Sequence, residues 1–262
     1  RCGSWRDDGT YLRSAQRYAS TPSTRYDSIG FRVGFQQFSD ALENGLVGWW
    51  KFDEANGTVA YDSSGNGNDG NLTNGPTWVG GKIGGALSFD GVDDWVKLGA
   101  DPFPDIGLPN QAATLSIWFK IQTTTNTQTI FSDYTGITGG DNHLVASLAV
   151  GANAKFGATT RYAGTNYEFG SNQSNLMNNS WHAATYVMDP SINLLKLYIN
   201  GSLDSQNQYI GSQNLRNGSE WKFGAIQHSG SMISLLKGLL DDARVYDRAL
   251  SAAEVQALYN LG

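Results

Sequence analysis

The chain has 262 residues, with 18 Lys and Arg against 24 Asp and Glu, a formal net charge of −6 and 40% apolar residues. The length allows one large domain or two small ones, and the apolar fraction excludes a globally disordered chain. The negative balance argues against nucleic-acid binding, and no apolar run approaches the roughly 18 residues that predict a membrane span.

Cysteine and charge are both scarce. Cys2 is the one cysteine, so an internal disulfide and a zinc site built on several thiolates are excluded. The chain opens with Arg and shows no signal peptide, which indicates a processed product or a fragment. Only 16% of the residues are charged, and 32 are Gly. Such a composition is typical of secreted bacterial β-proteins, and we expect an extracellular or cell-surface location.

The first 40 residues differ in charge from the rest. They hold six of the 18 basic residues, all Arg, against four acidic residues. The character of the sequence changes shortly after Ser39. We therefore expect a separate segment at residues 1–40, a linker at residues 41–45 and the main domain at residues 46–262.

From residue 46 onward, short alternating runs are separated by turn residues. Asp90-Gly91 predicts a hairpin turn or a bulge, and Asn200-Gly201 predicts a two-residue turn. The predicted strands are residues 48–53, 86–98, 114–121, 129–132, 144–150, 155–160, 181–188, 194–199, 221–226 and 238–246. Such a series of short strands indicates an all-β sandwich or jelly roll.

One short helix is expected at the C-terminus. Ser251 and Glu254 have the spacing of a capping box, and the apolar residues that follow continue to Tyr259. Because so short a helix is unstable alone, we expect it to pack on the edge of the sandwich.

Residues 45–262 resemble the laminin-G-like jelly rolls of the concanavalin A-like lectin/glucanase superfamily. The stretches that carry the resemblance are residues 46–54 (LVGWWKFDE), 62–70 (DSSGNGNDG), 85–96 (GALSFDGVDDWV), 181–201 and 238–251 (GLLDDARVYDRALS). The resemblance implies two packed antiparallel sheets and, frequently, a bound Ca²⁺.

Residues 1–40 resemble the C-terminal end of the formylglycine-generating (sulfatase-modifying) family, which has a C-type-lectin-like fold. Residues 1–5 (RCGSW) and 29–33 (IGFRV) are among those that carry the match. The cysteine pair of catalytic members is missing from residues 6–12, and Cys2 stands where the family usually has glycine. The resemblance therefore implies a fragment of that fold without its activity.

Two stretches are candidates for a calcium site. Residues 62–70 are rich in oxygen donors and glycines, with Asp62 and Asn66 as side-chain ligands; the alternative is an ordinary Asx/Gly turn. Asp241 and Asp242 lie in an apolar strand and should point to opposite faces. The inward one, for which Asp241 is the first choice and Asp242 the reserve, would need a cation, or alternatively a partner in Arg244 or Arg248.

Two further aspartates complete the predicted metal set. Asp53 is the next-to-last residue of the first matching stretch, and Asp90 belongs to an acidic cluster with Asp93 and Asp94. The alternative reading of Asp90 is a simple turn with Gly91.

Sugar-binding sandwiches stack sugar rings on exposed aromatic side chains and bind the hydroxyls with polar ones. Trp118 alternates with the apolar residues of its strand, which predicts an open face, while Trp49 and Trp50 point to opposite sides. The predicted ligand-binding residues are Trp118, Tyr134, Asp141, Asn142, Arg161 and Tyr162, with His143 and Tyr167 beside them.

The sequence predicts a non-catalytic binding or adhesion module for a glycan or an extracellular-matrix component, with calcium as a structural ion. Glycosidases need two carboxylates at a set spacing, and the Glu-x-Asp-x-x-Glu run of laminarinase-type members is missing. The alternative is a self-assembling extracellular subunit whose residues 1–40 dock on a neighbouring copy. An enzyme acting on polysaccharide is a weaker third reading.

Overall fold

A computed structural model describes residues 41–100, 112–122, 124, 126–132, 143–148, 154–162, 165–208, 220–228 and 230–262. The chain divides into two compact units, Arg1–Leu42 and Glu43–Gly262, and the fold below is that of the second. The fragment expected at residues 1–40 lies outside the described residues and stays a prediction, as does the linker assignment.

The second unit is built almost entirely of strands. They are β1 (Leu46–Trp50), β2 (Val59–Ala60), β3 (Gly70–Thr73), β4 (Thr77–Gly80), β5 (Gly85–Asp90), β6 (Trp95–Ala100), β7 (Ala113–Ile121), β8 (Gln128–Ser132), β9 (His143–Leu148), β10 (Phe156–Tyr162), β11 (Thr165–Gly170), β12 (His182–Asp189), β13 (Leu194–Ile199), β14 (Ser202–Gln208), β15 (Glu220–Phe223), β16 (Ile226–His228), β17 (Ser231–Ile233) and β18 (Lys237–Tyr246). A single 3₁₀ turn (Pro190–Ile192) precedes β13, and the helix α1 (Ala252–Tyr259) follows β18.

The strands form two antiparallel sheets of eight strands each within the described residues. Sheet I has the order β14-β13-β12-β7-β18-β5-β4, and β1 also pairs with β18. Sheet II has the order β11-β10-β9-β8-β15-β6-β3-β2, and β16 and β17 form a separate hairpin. This architecture confirms the predicted two-sheet jelly roll with one short C-terminal helix.

The alternation that predicted the strands follows from their position in the sandwich. In β7, Ile117 and Phe119 are buried in the core, whereas Ser116 lies on the opposite side of sheet I and shares a 2.9 Å hydrogen bond with Thr185 of β12. The predicted turn at Asn200-Gly201 is confirmed. Both residues have positive φ, and Ile199 pairs directly with Ser202 across it.

Aromatic rings join the two sheets. Phe223 of sheet II lies at 5.1 Å (ring centroids) from Trp50 of sheet I, at 5.7 Å from Phe52 and at 5.0 Å from Phe131. Trp50 and Phe223 are fully buried. Trp50 is therefore the core residue of the Trp49-Trp50 pair, of which the alternation predicted that one is buried without saying which.

A β-bulge interrupts β18 at its centre. Asp241 lies opposite Trp118 of β7 and Arg244 lies opposite Ser116, so Asp242 and Ala243 together face the single residue between them. Asp242 adopts a φ of 44° at this point. The extra residue sends both aspartates to the outer side of sheet I. The expectation that they point to opposite faces is therefore wrong, because it assumed a regular period of two.

Helix α1 begins with the predicted capping box. Ser251 Oγ accepts a hydrogen bond from the N–H of Glu254, whose carboxylate accepts one from the N–H of Ser251. Tyr259 stacks on Trp118 at 5.4 Å, so the helix lies over the outer face of sheet I rather than at its edge alone. Within the described residues, no helix has the length and the apolar character that crossing a membrane requires.

Some strand predictions need correction. Strands β5 and β6 lie in different sheets, so the turn at Asp90-Gly91 connects the sheets and is not a hairpin. The run predicted at residues 221–226 divides into β15 and the start of β16. The strands β2, β3, β4, β11, β14 and β17 were not predicted, because they are short, polar or rich in turn residues.

Strand β14 illustrates why polar strands were missed. It forms one edge of sheet I, and most of its side chains are exposed. The Asp204 carboxylate accepts hydrogen bonds from the N–H groups of Asn172 (2.5 Å) and Gln173 (3.0 Å), which follow β11 at the edge of sheet II. Polar contacts therefore help to connect the two sheets at this edge.

Replacement of Phe223 by Ala should lower the free energy of unfolding by about 3–5 kcal/mol, because it leaves a cavity between three other rings. Urea unfolding followed by tryptophan fluorescence measures this loss. The control is Leu203→Ala, at a side chain of β14 that is 52% exposed, which should change stability by less than about 0.5 kcal/mol. Equal losses in the two variants would contradict the placement of Phe223 at the centre of the core.

Candidate functional site

The carboxylate of Asp241 is the most unusual group on the outer side of sheet I. The residue is fully buried. Its Oδ2 accepts hydrogen bonds from the N–H groups of Lys82 (2.7 Å) and Ile83 (2.8 Å), whereas its Oδ1 is buried without any hydrogen-bond partner. Burial is the main cause that raises the pKa of Asp241 to about 7; the charge of Asp242 adds to the rise, and the backbone N–H groups of Ile83, Lys82 and Asp242 oppose it. Protonation of this oxygen, or a cation beside it, would offset the cost of burying the charge.

The turn between β4 and β5 covers Asp241 and is built from glycines for that reason. A Cβ atom on Gly81 would lie 2.6 Å from Asp241 Oδ2 and would collide with the carbonyl of Gly85. Asp53, which is exposed, accepts a 2.5 Å hydrogen bond from the N–H of Gly85 at the same turn. Two of the predicted metal ligands, Asp53 and Asp241, therefore hold one turn.

Asp242 has protein partners for its charge. Its Oδ1 accepts hydrogen bonds from Trp49 Nε1 (2.6 Å) and from Arg244 Nη2 (3.0 Å). The ring of Trp49 lies between two cations, with Lys51 Nζ at 4.2 Å and the Arg244 guanidinium at 4.3 Å from its centroid. The pairing with Arg244, the alternative stated from the sequence, is observed.

Asp62 and Asn66 lie together in the loop that follows β2, but their polar atoms serve the loop itself. Asp62 Oδ1 accepts from the N–H groups of Trp49 and Ser64, and Oδ2 accepts from Ser64 Oγ and the N–H of Asn68. Asn66 donates its amide to the carbonyls of Leu46 and Val47. These bonds attach the loop to β1, as in the Asx-turn alternative; a calcium role for the loop stays a prediction.

Asp90, Asp93 and Asp94 form a compact acidic cluster, with one carboxylate oxygen of each within 4.8 Å of the others. Asp94 is buried, and this burial raises the pKa of its carboxyl. The charges of Asp90 and Asp93 also raise it, whereas a hydrogen bond from the N–H of Asp90 opposes the rise. Asp90 Oδ1 accepts from the N–H of Val92. The predicted metal ligands are therefore distributed over separate places rather than gathered at one.

A polar groove of about 900 Å³ opens beside this cluster, between the connections β5–β6, β7–β8 and β17–β18. Asp90, Gln122, Asn126, Gln128 and Lys237 contribute to its lining. Amide, hydroxyl and charged side chains make up most of the lining, and no aromatic ring takes part among the described residues. Apart from Asp90, sequence reasoning missed this groove, because none of its residues belongs to a motif and they meet only through the fold.

Among the predicted ligand-binding residues, Trp118 is the one whose side chain the structure describes. Trp118 is 5% exposed, with Tyr259 stacked on it and Lys82 Nζ 5.1 Å from its centroid. Its predicted open face is therefore wrong, because the helix and the β4–β5 turn cover it. Arg161 and Tyr162 lie on β10, and Arg161 pairs with His143 of β9. The remaining predictions, Tyr134, Asp141 and Asn142, lie outside the described residues, as do the side chains of Arg161, Tyr162, His143 and Tyr167.

The two-sheet jelly roll with an aromatic core defines a lectin-like domain. The family profile of the concanavalin A-like lectin/glucanases superfamily, of laminin-G type, matches residues 90–256, and the chain belongs to this superfamily. The resemblance of residues 1–40 to the formylglycine-generating family lies outside the matched range and stays a prediction. No curated protein sequence matches the chain significantly.

Several solved structures share the fold. Domain 4 of AbnA, a GH43 extracellular arabinanase from Geobacillus stearothermophilus in complex with arabinotriose, has a TM-score of 0.59 at 22% identity, over 82% of this chain and 98% of that domain. The receptor-binding domain of botulinum neurotoxin D has a TM-score of 0.63 at 14% identity, over 84% of this chain and 53% of that one. The binding domain of Paraclostridial Mosquitocidal Protein 1 has a TM-score of 0.62 at 16% identity, over 84% of this chain and 52% of that one. This chain spans about half the length of the two toxin domains.

In the presence of EDTA, the free energy of unfolding should fall as the pH rises from about 4 to about 7. The unfolded carboxyl of Asp241 loses its proton near pH 3.8, whereas the folded one keeps it to about pH 7. Each pKa unit corresponds to about 1.4 kcal/mol, so we expect a loss of a few kcal/mol. Urea unfolding across this range measures it, and Asp241→Asn should flatten the profile. Parallel profiles for the two proteins would contradict the assignment of the raised pKa.

Proposed function

We propose that the chain is a non-catalytic carbohydrate-binding module of an extracellular or cell-surface protein, with a structural calcium ion. The observation that carries the proposal is its membership of a lectin-like superfamily, together with a fold shared by a domain that holds arabinotriose. A glycan, or a glycan-bearing matrix component, is the partner that this fold suggests. The toxin neighbours are binding domains by name, which supports recognition rather than catalysis.

The carboxylates support a non-catalytic reading. Hydrolysis of a glycosidic bond needs two carboxyl groups that face the same bond from opposite sides. Asp241 and Asp242 are buried beneath the β4–β5 turn and beside Arg244, where a sugar ring has no access. The Asp94 carboxylate accepts a hydrogen bond from the N–H of Asp90, so it serves the turn in which both residues lie.

The full chain, fluorescently labelled, should be retained on some neutral oligosaccharides of a glycan array that includes arabinotriose, because hydroxyl groups match the neutral polar side chains of its surface. It should release no reducing ends from the corresponding polysaccharides. The control is the same protein after thermal unfolding. Release of reducing ends would contradict the non-catalytic reading. A blank array from a chain that sediments as large assemblies would favour the self-assembling subunit, with residues 1–40 as its docking segment.

An unpartnered buried oxygen makes Asp241 a better candidate for calcium than Asp62. Ca²⁺ prefers oxygen ligands, carboxylates among them. Asp241 Oδ1 is buried and has no hydrogen-bond partner, and Asp53 lies at the same turn. Both oxygens of Asp62, by contrast, accept hydrogen bonds from the loop. An ion at Asp241 would neutralise a buried charge and stabilise the β4–β5 turn.

Calcium should raise the melting temperature of the chain above its value in EDTA. An ion that binds only the folded state contributes about 2.7 kcal/mol at 100 times its Kd, which corresponds to about 5–10 °C for a domain of this size. Differential scanning calorimetry at pH 8 measures the shift, and Asp241→Asn should abolish it. Asp90→Asn is the control and should retain it. Loss of the shift in Asp90→Asn alone would assign the ion to the acidic cluster instead.

A further inference from the structure

The groove beside Asp90 has a fixed frame. Gln128 is 2% exposed; its Oε1 accepts a 2.5 Å hydrogen bond from the N–H of Lys237, and its Nε2 donates to the carbonyl of Asn126 at 3.3 Å. A second bond connects the same two walls, from the N–H of Thr129 to the carbonyl of Ser234 at 2.9 Å. The start of β8 is therefore held to the start of β18 and to the residues just before it, whether or not a ligand is bound. A preformed site loses little conformational entropy when it binds.

The third wall of the groove is fixed as well. Lys237 pairs in register with Asp90 across β18 and β5. Asp90 Oδ1 accepts a 2.7 Å hydrogen bond from the N–H of Val92, which shapes the turn. The volume of about 900 Å³ lies within the range of sites that enclose small-molecule ligands, about 300–1,000 Å³. It is large enough for a short chain of sugar units.

The side chains that line the groove favour a ligand with neutral polar groups. Gln122 and Asn126 are exposed in the groove, and their amides both donate and accept hydrogen bonds, as sugar hydroxyls do. The charges of Asp90 and Lys237 oppose each other. The further carboxylates of Asp93 and Asp94 lie close to Asp90, so an anionic ligand would meet repulsion at this end. Val92 is 69% exposed and offers an apolar contact for the C–H face of a sugar.

We propose that this groove binds a short neutral oligosaccharide, with the amides of Gln122 and Asn126 as hydrogen-bonding partners of its hydroxyls. The proposal rests on the proposed carbohydrate-binding function and assigns that function to one place on the molecule. It places recognition at the connections between strands rather than on the faces of the sheets. Hydrogen bonds, rather than stacking on an aromatic ring, then supply the specificity.

Isothermal titration calorimetry of the full chain tests this assignment with arabinotriose, xylotriose, cellotriose and maltotriose as neutral probes and trigalacturonate as the anionic one. At least one neutral trisaccharide should bind, and more tightly than trigalacturonate. The double variant Gln122→Ala/Asn126→Ala should weaken that binding about 10- to 100-fold, since each lost hydrogen bond reduces affinity several-fold. The matched control is Gln206→Ala/Asn207→Ala, which removes two exposed amides of β14.

The melting temperatures of both double variants should equal that of the parent chain. If the groove variant melts lower, Lys237→Gln removes an exposed charge at the groove edge and leaves the backbone bond to Gln128 in place, and it should also weaken binding. A trisaccharide that binds all variants equally would overturn the assignment of binding to this groove, and the carbohydrate-binding function would stand. Tighter binding of trigalacturonate would overturn the proposal that the ligand is neutral. Binding of none of the five probes, with a blank glycan array, would overturn both proposals.

Discussion

The β-bulge in β18 is the constraint on which the rest of sheet I depends. Among the described strands, β18 is the one that pairs with three others, because β7 follows one side while β5 and β1 share the other. Strand β5 pairs with residues 237–240 and β1 with residues 243–246. The two bulge aspartates lie between these pairings. The bulge therefore marks where one partner strand ends and the next begins, and it keeps both Leu240 and Ala243 in the core.

The bulge also buries two adjacent carboxylates, which the fold satisfies unequally. Burial of an ionised group is costly unless it has partners. Asp242 has an ion pair with Arg244 and a hydrogen bond from Trp49 Nε1. Asp241 has two N–H donors on one oxygen and none on the other. That difference makes Asp241 the group whose protonation couples the pH of the solution to the stability of sheet I.

The sequence predicted what local interactions determine. Alternation located β7, β12 and β13, the Asn200-Gly201 pair located a turn, and Ser251 with Glu254 located the start of α1, because each depends on neighbours in the chain. The bulge could not be predicted, since a register shift depends on which strands lie on either side. The cover over Trp118 could not be predicted either, because Tyr259 reaches it from a helix 141 residues further along the chain.

The same distinction explains why the candidate ligand surface escaped prediction. Aromatic residues on the outer side of sheet I suggested sugar stacking, but Trp118 packs under α1 and Trp49 lies between Lys51 and Arg244. Both rings therefore make contacts with other side chains of the protein. Among the described residues, a set of polar side chains converges where the β5–β6, β7–β8 and β17–β18 connections meet. Connections tolerate sequence change better than paired strands do, so a binding surface built on them can vary while the aromatic core and the bulge stay the same.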